Sequence, residues 1–148
     1  MIEIAVNNLA AATGARTVTE QTDRVCRGCV IDSRQVEEGT IFVAFPGEKV
    51  DGNDFAPRAI ESGAGAVVLT REPDDDLLSL AQDKDCVVLL TDDPEEFLLR
   101  LAHAYRTQLG CLVIGITGSI GKTTTKDVLA AVLSKRYRVW ATKGNFNN

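Results

Sequence analysis

Apolar residues along the chain gather into short runs divided by polar turns, and the period of the pattern changes from run to run. The first, EIAVNNLAAATGA (3–15), predicts a short helix ended by Gly14. CVIDS (29–33) and TIFVAF (40–45) predict strands, the second apolar almost throughout and bounded by Gly39 and Pro46-Gly47. NDFAPRAIESGA carries an apolar stripe at Phe55, Ala59 and Ile60 and predicts a helix ending at Gly63. AVVLT (66–70) predicts the next strand. A polar stretch around 74–76 and a short helix then lead to strand CVVLLT (86–91).

DDPEEFLLRLAHAYRTQLG opens with strong helix-start chemistry. Asp93 suits the cap, Pro94 the first helical position, and Glu96 the reciprocal place of a capping box. Phe97, Leu98, Leu101, Ala102 and Tyr105 recur at helical spacing, so one face is expected to be buried. His103 lies off that stripe and reads as solvated. Beyond this helix, strand CLVIGIT (111–117), a glycine loop, helix 122–135 and strand YRVWAT (137–142) predict one β-α-β unit. The helix bears Val128, Leu129, Val132 and Leu133 on one side. The fold class is α/β: a small N-terminal α/β module over 1–92, a connecting helix over 93–109, and a second unit over 110–148.

Composition narrows the function classes. At 148 residues, 45% hydrophobic and 25% charged, the chain has the balance of a soluble globular protein. No run approaches the ~20 apolar residues of a membrane span, and MIEIAVNNLA lacks the basic-then-apolar order of a secretory signal. The expectation is cytoplasmic, without membrane insertion. The net charge of −5 is uneven: −10 over residues 1–109 and +5 over 110–148. An acidic front argues against a nucleic-acid partner, while the basic tail suits a compact anion or merely carries solvated lysines. Cys26 and Cys29 form a C-x-x-C, but Cys86, Cys111 and His103 show no ligand spacing. An apolar strand-like run follows Cys29, not the helix a redox pair opens. Buried or idle thiols are expected.

The glycine loop carries the clearest chemistry. Triphosphate binding needs several backbone N–H groups aimed at one anion at the positive end of a helix. In GSIGKT, Gly118 and Gly121 flank Ser119 and Ile120, Lys122 supplies a mobile charge, and Thr123 offers a hydroxyl to Mg²⁺. The usual spacing is G-x-x-x-x-G-K-[ST], but Ile116 stands where its first glycine belongs, so this loop is a shortened variant.

TGSIGKTTTK resembles the T-G-S/T-x-G-K-T/S-T loop of the Mur ligases, which often has Asn where this chain has Ile120. IDSRQVEEGTIFVAFPGEKVDGNDFAPRAIESGAGAVVL resembles the N-terminal UDP-binding domain of the ligases of the third and fourth additions, with Asn53 where His is frequent. TKGNFNN resembles the T-x-G-N-x-N-N stretch of the D-alanyl-D-alanine-adding branch. Together these matches cover most of 28–70 and 92–148.

The resemblance implies an ATP- and Mg²⁺-dependent ligase of peptidoglycan synthesis. ATP would phosphorylate the terminal carboxylate of UDP-N-acetylmuramoyl-tripeptide, and the amine of D-alanyl-D-alanine would attack the acyl phosphate. It implies that Gly118, Ser119, Ile120, Gly121, Lys122, Thr123 and Thr124 hold the nucleotide, with Thr123 on Mg²⁺. Ser33 and Arg34 would contact the UDP moiety, and Asn145 and Asn148 would lie near the muramoyl substrate or serve only as turn residues. Arg34 could equally pair with Asp32 or Glu37. The likeness extends to only the first third of such an enzyme, so no catalytic residue is expected within the chain, and the chain alone is expected to be inactive. Exposed apolar surface is expected on the second unit, met by self-association, packing on the first module or partial disorder. The tripeptide-forming ligase and a stand-alone UDP-muramoyl-peptide binding module are the alternatives.

Overall fold

A computed structural model of the chain describes residues 3–20, 24–47 and 50–142. Two compact units divide it, Met1–Gly110 and Cys111–Asn148.

The first unit is built on a five-stranded sheet. Its strands are β2 (Arg16–Thr17), β4 (Cys29–Val30), β5 (Ile41–Val43), β6 (Ala66–Leu69) and β7 (Val87–Leu90), in the spatial order β2-β7-β6-β5-β4. β4 to β7 run parallel, with Ile41 beside Ala66 and Ala66 beside Val87, while β2 closes the edge antiparallel, Arg16 facing Leu90. A parallel sheet covered on both faces requires strands apolar on both sides, and every residue of β5 and β6 is buried.

Alternate residues feed two cores. Ile41, Val43, Ala66, Val68, Val87 and Leu89 pack with residues of α1 (Val6–Thr13) and α4 (Pro94–Leu109). Phe42, Val67, Leu69 and Val88 pack with residues of α2 (Ala56–Glu61) and α3 (Asp75–Asp83). A separate pair, β1 (Glu3–Ala5) with β3 (Val25–Arg27), contributes Ile4 and Cys26 to the first core.

Several expectations need correction. Residues 3–5 form β1 rather than the first turn of a helix, because their backbone pairs with 25–27; the helix itself ends at Gly14 as expected. The strand at 29–33 stops at Val30: the Asp32 side chain accepts the Arg34 N–H and turns Ser33–Gln35 into a 3₁₀ helix. At α4, Asp93 Oδ1 does cap, taking the N–H groups of Glu95 (2.9 Å) and Glu96 (3.0 Å). Glu96 does not complete the box. Its carboxylate pairs with Arg100 one turn on (2.7 Å), and Thr91 Oγ1 accepts the Asp93 N–H instead (3.3 Å).

In the second unit only the helix of the expected β-α-β forms, as α5 (Lys122–Leu133). Segments 111–117 and 137–142 are irregular and pair with no strand among the described residues. Apolar composition favours a strand, but a ladder also requires a neighbouring backbone to bond. The expected exposed apolar surface is present: Leu112, Ile120, Val128, Val132 and Trp140 are all more than half exposed. Among the described residues no helix is long and apolar enough to cross a membrane, and no cluster of three Cys, His, Asp or Glu side chains suits a metal.

Cys26 and Cys86 are buried and Cys29 half-buried. Desolvation pushes the Cys26 thiol up to about 11 and those of Cys29 and Cys86 to about 12. At pH 8 each is then thiolate about one part in a thousand or less, and only the thiolate reacts. Cys111 is exposed. A native thiol-exchange assay at pH 8 should therefore modify Cys111 quickly and the other three only after unfolding. Rapid modification of Cys26 or Cys29 would show that the pair is accessible for redox or metal chemistry.

Candidate functional site

The four parallel strands all point their carboxyl ends at one edge of the sheet, where open α/β sheets bind ligands. Ser33 and Arg34 stand there, just beyond β4. Ser33 is buried, whereas the Arg34 side chain is 75% exposed. Asp32 holds Arg34 in place: Arg34 Nε donates to both carboxylate oxygens (2.9 and 3.1 Å) and Nη2 to Oδ2 (2.6 Å). Of the two partners open in the sequence, the structure gives Asp32. The pair leaves the outer donors of a fixed guanidinium facing solvent, a geometry suited to a carboxylate, phosphate or base edge.

These bonds from the Arg34 side chain, and then from its backbone N–H, hold the Asp32 carboxyl at about 2. A carboxylate whose folded pKa is depressed contributes stability that is present above the ordinary value near ~3.9. That contribution fades as pH falls through about 2. Carbon-detected NMR of the Asp32 carboxyl should titrate with a midpoint near 2, and a midpoint close to 4 would show that the pair does not form in solution.

Further along the same edge, Asn53 takes the place where sequence comparison raised a histidine. It is buried, and its carboxamide works in both directions. Nδ2 donates to Asp51 Oδ1 (2.6 Å) and Thr70 Oγ1 (2.8 Å), while Oδ1 accepts the Thr70 N–H (2.9 Å). Arg71 adds ion pairs to Asp51 (2.9 Å) and Asp54 (2.5 Å). The turn at 51–55 is thereby tied to the end of β6. No sequence signal named this role, because Thr70 lies 17 residues further along the chain.

In the second unit the glycine loop opens α5. Gly121 occupies the N-cap position with φ +82°, a left-handed conformation costly to a residue with a Cβ, and having no side chain it leaves the helix start without a side-chain cap. Lys122 Nζ donates to the Gly118 carbonyl (2.7 Å), so its ammonium lies folded over the loop. Ser119, Ile120, Thr123 and Thr124 are exposed beside it. An uncapped helix start with an adjacent ammonium fits a phosphate group. Lys126 bonds the Thr142 carbonyl (2.7 Å), linking α5 to the segment that leads toward 145–148. Asn145 and Asn148 lie outside the described residues.

Comparison with known proteins yields two consecutive matches. The Mur ligase family, catalytic domain, matches residues 26–106, and the Mur ligase middle domain matches residues 116–148. The UDP-N-acetylmuramoyl-tripeptide–D-alanyl-D-alanine ligase of Bacillus subtilis is 42% identical across the whole chain, which covers 31% of that enzyme. Among solved structures, MurF from Acinetobacter baumannii superposes over the whole chain with a TM-score of 0.81 at 28% identity, the chain covering 31% of it. MurF ligase from Thermotoga maritima in complex with ADP superposes over 82% of the chain with a TM-score of 0.69 at 34% identity, the chain covering 26% of it. The chain spans about a quarter to a third of the length of these relatives.

Proposed function

The chain belongs to the Mur ligase family, and from that premise we propose that it supplies the front portion of an ATP-dependent ligase joining D-alanyl-D-alanine to UDP-N-acetylmuramoyl-tripeptide in peptidoglycan synthesis. The observation that carries this reading is the 42% identity, sustained along the whole chain, to a ligase named for that reaction. Cytoplasmic location follows from the reading, since both large substrates are nucleotides.

Each residue then has a task. Gly118, Ser119, Ile120 and Gly121 present backbone N–H groups to the phosphates of ATP, with Lys122 and Thr124 beside them. Moving the Lys122 ammonium from the Gly118 carbonyl to a phosphate exchanges a neutral acceptor for an anionic one, a stronger bond. The Thr123 hydroxyl serves Mg²⁺, which commonly takes few protein ligands and completes its shell with phosphate oxygens and water. Bound ATP supplies the phosphoryl group that activates the tripeptide carboxylate. Ser33 and the Asp32-braced Arg34 receive the UDP moiety. Asn145 and Asn148 approach the muramoyl peptide.

Calorimetric titration with UDP-N-acetylmuramoyl-tripeptide tests the reading, beside the dipeptide precursor and the Ser33→Ala and Arg34→Ala variants. Saturable binding that both variants weaken is the expected result. A folded chain that binds neither nucleotide, or binds them equally well in both variants, would count against it.

A further inference from the structure

The sheet edge holds a second feature that the ligase reading does not use. After β6 the chain turns toward the face covered by α3, and after β7 toward the opposite face covered by α4. The two exits diverge, and such a switch point opens a crevice in a parallel sheet. Here it measures about 620 Å³, within the range of small-ligand sites.

Three arginines from three separate segments line it, each already facing a carboxylate. Arg16 on β2 pairs with Glu72, Arg71 after β6 with Asp51 and Asp54, and Arg100 on α4 with Glu96. Asp92 and Asp93 add two more acids to the wall. Acidic side chains in and behind the wall outnumber basic ones, which disfavours an anion. The start of α4 offers no anion site either, because Asp93 already holds the N–H groups of Glu95 and Glu96. A cation would meet three guanidinium groups. A hydroxyl group suits such walls best, since it donates to a carboxylate and accepts from the neighbouring guanidinium at once. Leu90 and Phe97 supply an apolar lining beside these pairs.

We propose that this crevice binds a small uncharged, hydroxyl-rich ring, such as a pentose or hexose, through the Arg16–Glu72 and Arg100–Glu96 pairs. The assignment stands independently of the ligase reading, because it uses none of the residues given to UDP or ATP.

NMR titration of the whole chain with D-ribose and methyl β-D-glucopyranoside tests it, with inorganic phosphate as the anionic contrast. The expected result is a saturable shift of the Thr70, Arg71, Thr91 and Asp92 amides with at least one of the two sugars, and Ser33 and Arg34 undisturbed. Pentose and hexose are told apart by which probe saturates first. The Arg16 and Glu72 side chains are 59% and 73% exposed, so Arg16→Ala and Glu72→Gln should fold normally. Each should weaken binding roughly tenfold, as expected for losing a hydrogen bond to a charged group. Stronger shifts with phosphate, shifts centred on Ser33 and Arg34, or no saturable shift with any probe would overturn the proposal.

Discussion

Replacing Phe97 with alanine is expected to cost the first unit about 3–5 kcal/mol, the range for truncating a buried aromatic side chain. Phe97 is 1% exposed and lies in the core that joins α4 and α1 to the sheet, with Leu9, Val68, Leu89 and Leu101 in the same cluster. Domains of this size are stable by only about 5–15 kcal/mol in total, so the variant should unfold at markedly lower urea. Leu99, on the same helix and 67% exposed, is the natural control. Leu99→Ala should stay within about 0.5 kcal/mol of the parent. Far-UV circular dichroism is the proper signal, because the only tryptophan, Trp140, lies in the second unit and is 80% exposed. Equal losses in the two variants would mean that α4 does not dock through the Phe97 face.

The other large effect concerns Lys122. On a protein extended to the length of its relatives, Lys122→Ala is expected to lower the turnover of ATP to ADP by about 10²–10³-fold, the scale of removing one charge-stabilising group from a transition state. The reason lies in position: Lys122 is the first residue of α5, and its ammonium already reaches the Gly118 carbonyl across the loop. Coupled ADP release, followed over a range of ATP concentrations, separates lost turnover from lost binding. Unchanged turnover would remove Lys122 from the proposed mechanism.

The parts of the fold that were legible in the sequence are those whose signals are local. α4 announces itself through Asp93 and Pro94 at its start and Gly110 at its end, and β5, β6 and β7 are continuous apolar runs, as double-sided burial demands. β1, β2 and β3 escaped notice because they are two or three residues long and partly polar. Pairing across the sheet makes them strands, and pairing leaves no mark on a short segment. The same reason explains the opposite error at 111–117 and 137–142, whose composition suits strands that find no partner among the described residues.

Candidate site residues divide in the same way. The glycine loop is contiguous and readable, and so is the Asp32–Arg34 pair, two residues apart. The crevice between β6 and β7 was invisible, since Arg16, Arg71, Asp92 and Arg100 belong to four segments that only the strand order brings together.

The tie between Asn53 and Thr70 has a consequence for how β6 finds its place. Val67 and Val68 face opposite cores, and all four residues of the strand are buried. Sliding β6 by one residue would exchange one valine for another, so greasiness alone scarcely distinguishes the right alignment from its neighbour. Thr70 does distinguish it, because its N–H and hydroxyl meet the Asn53 carboxamide at one setting only, and a slip would leave partly buried donors unanswered. The alignment of the central strand is written just past its own end, as a detent fixes a sliding scale whose divisions all look alike.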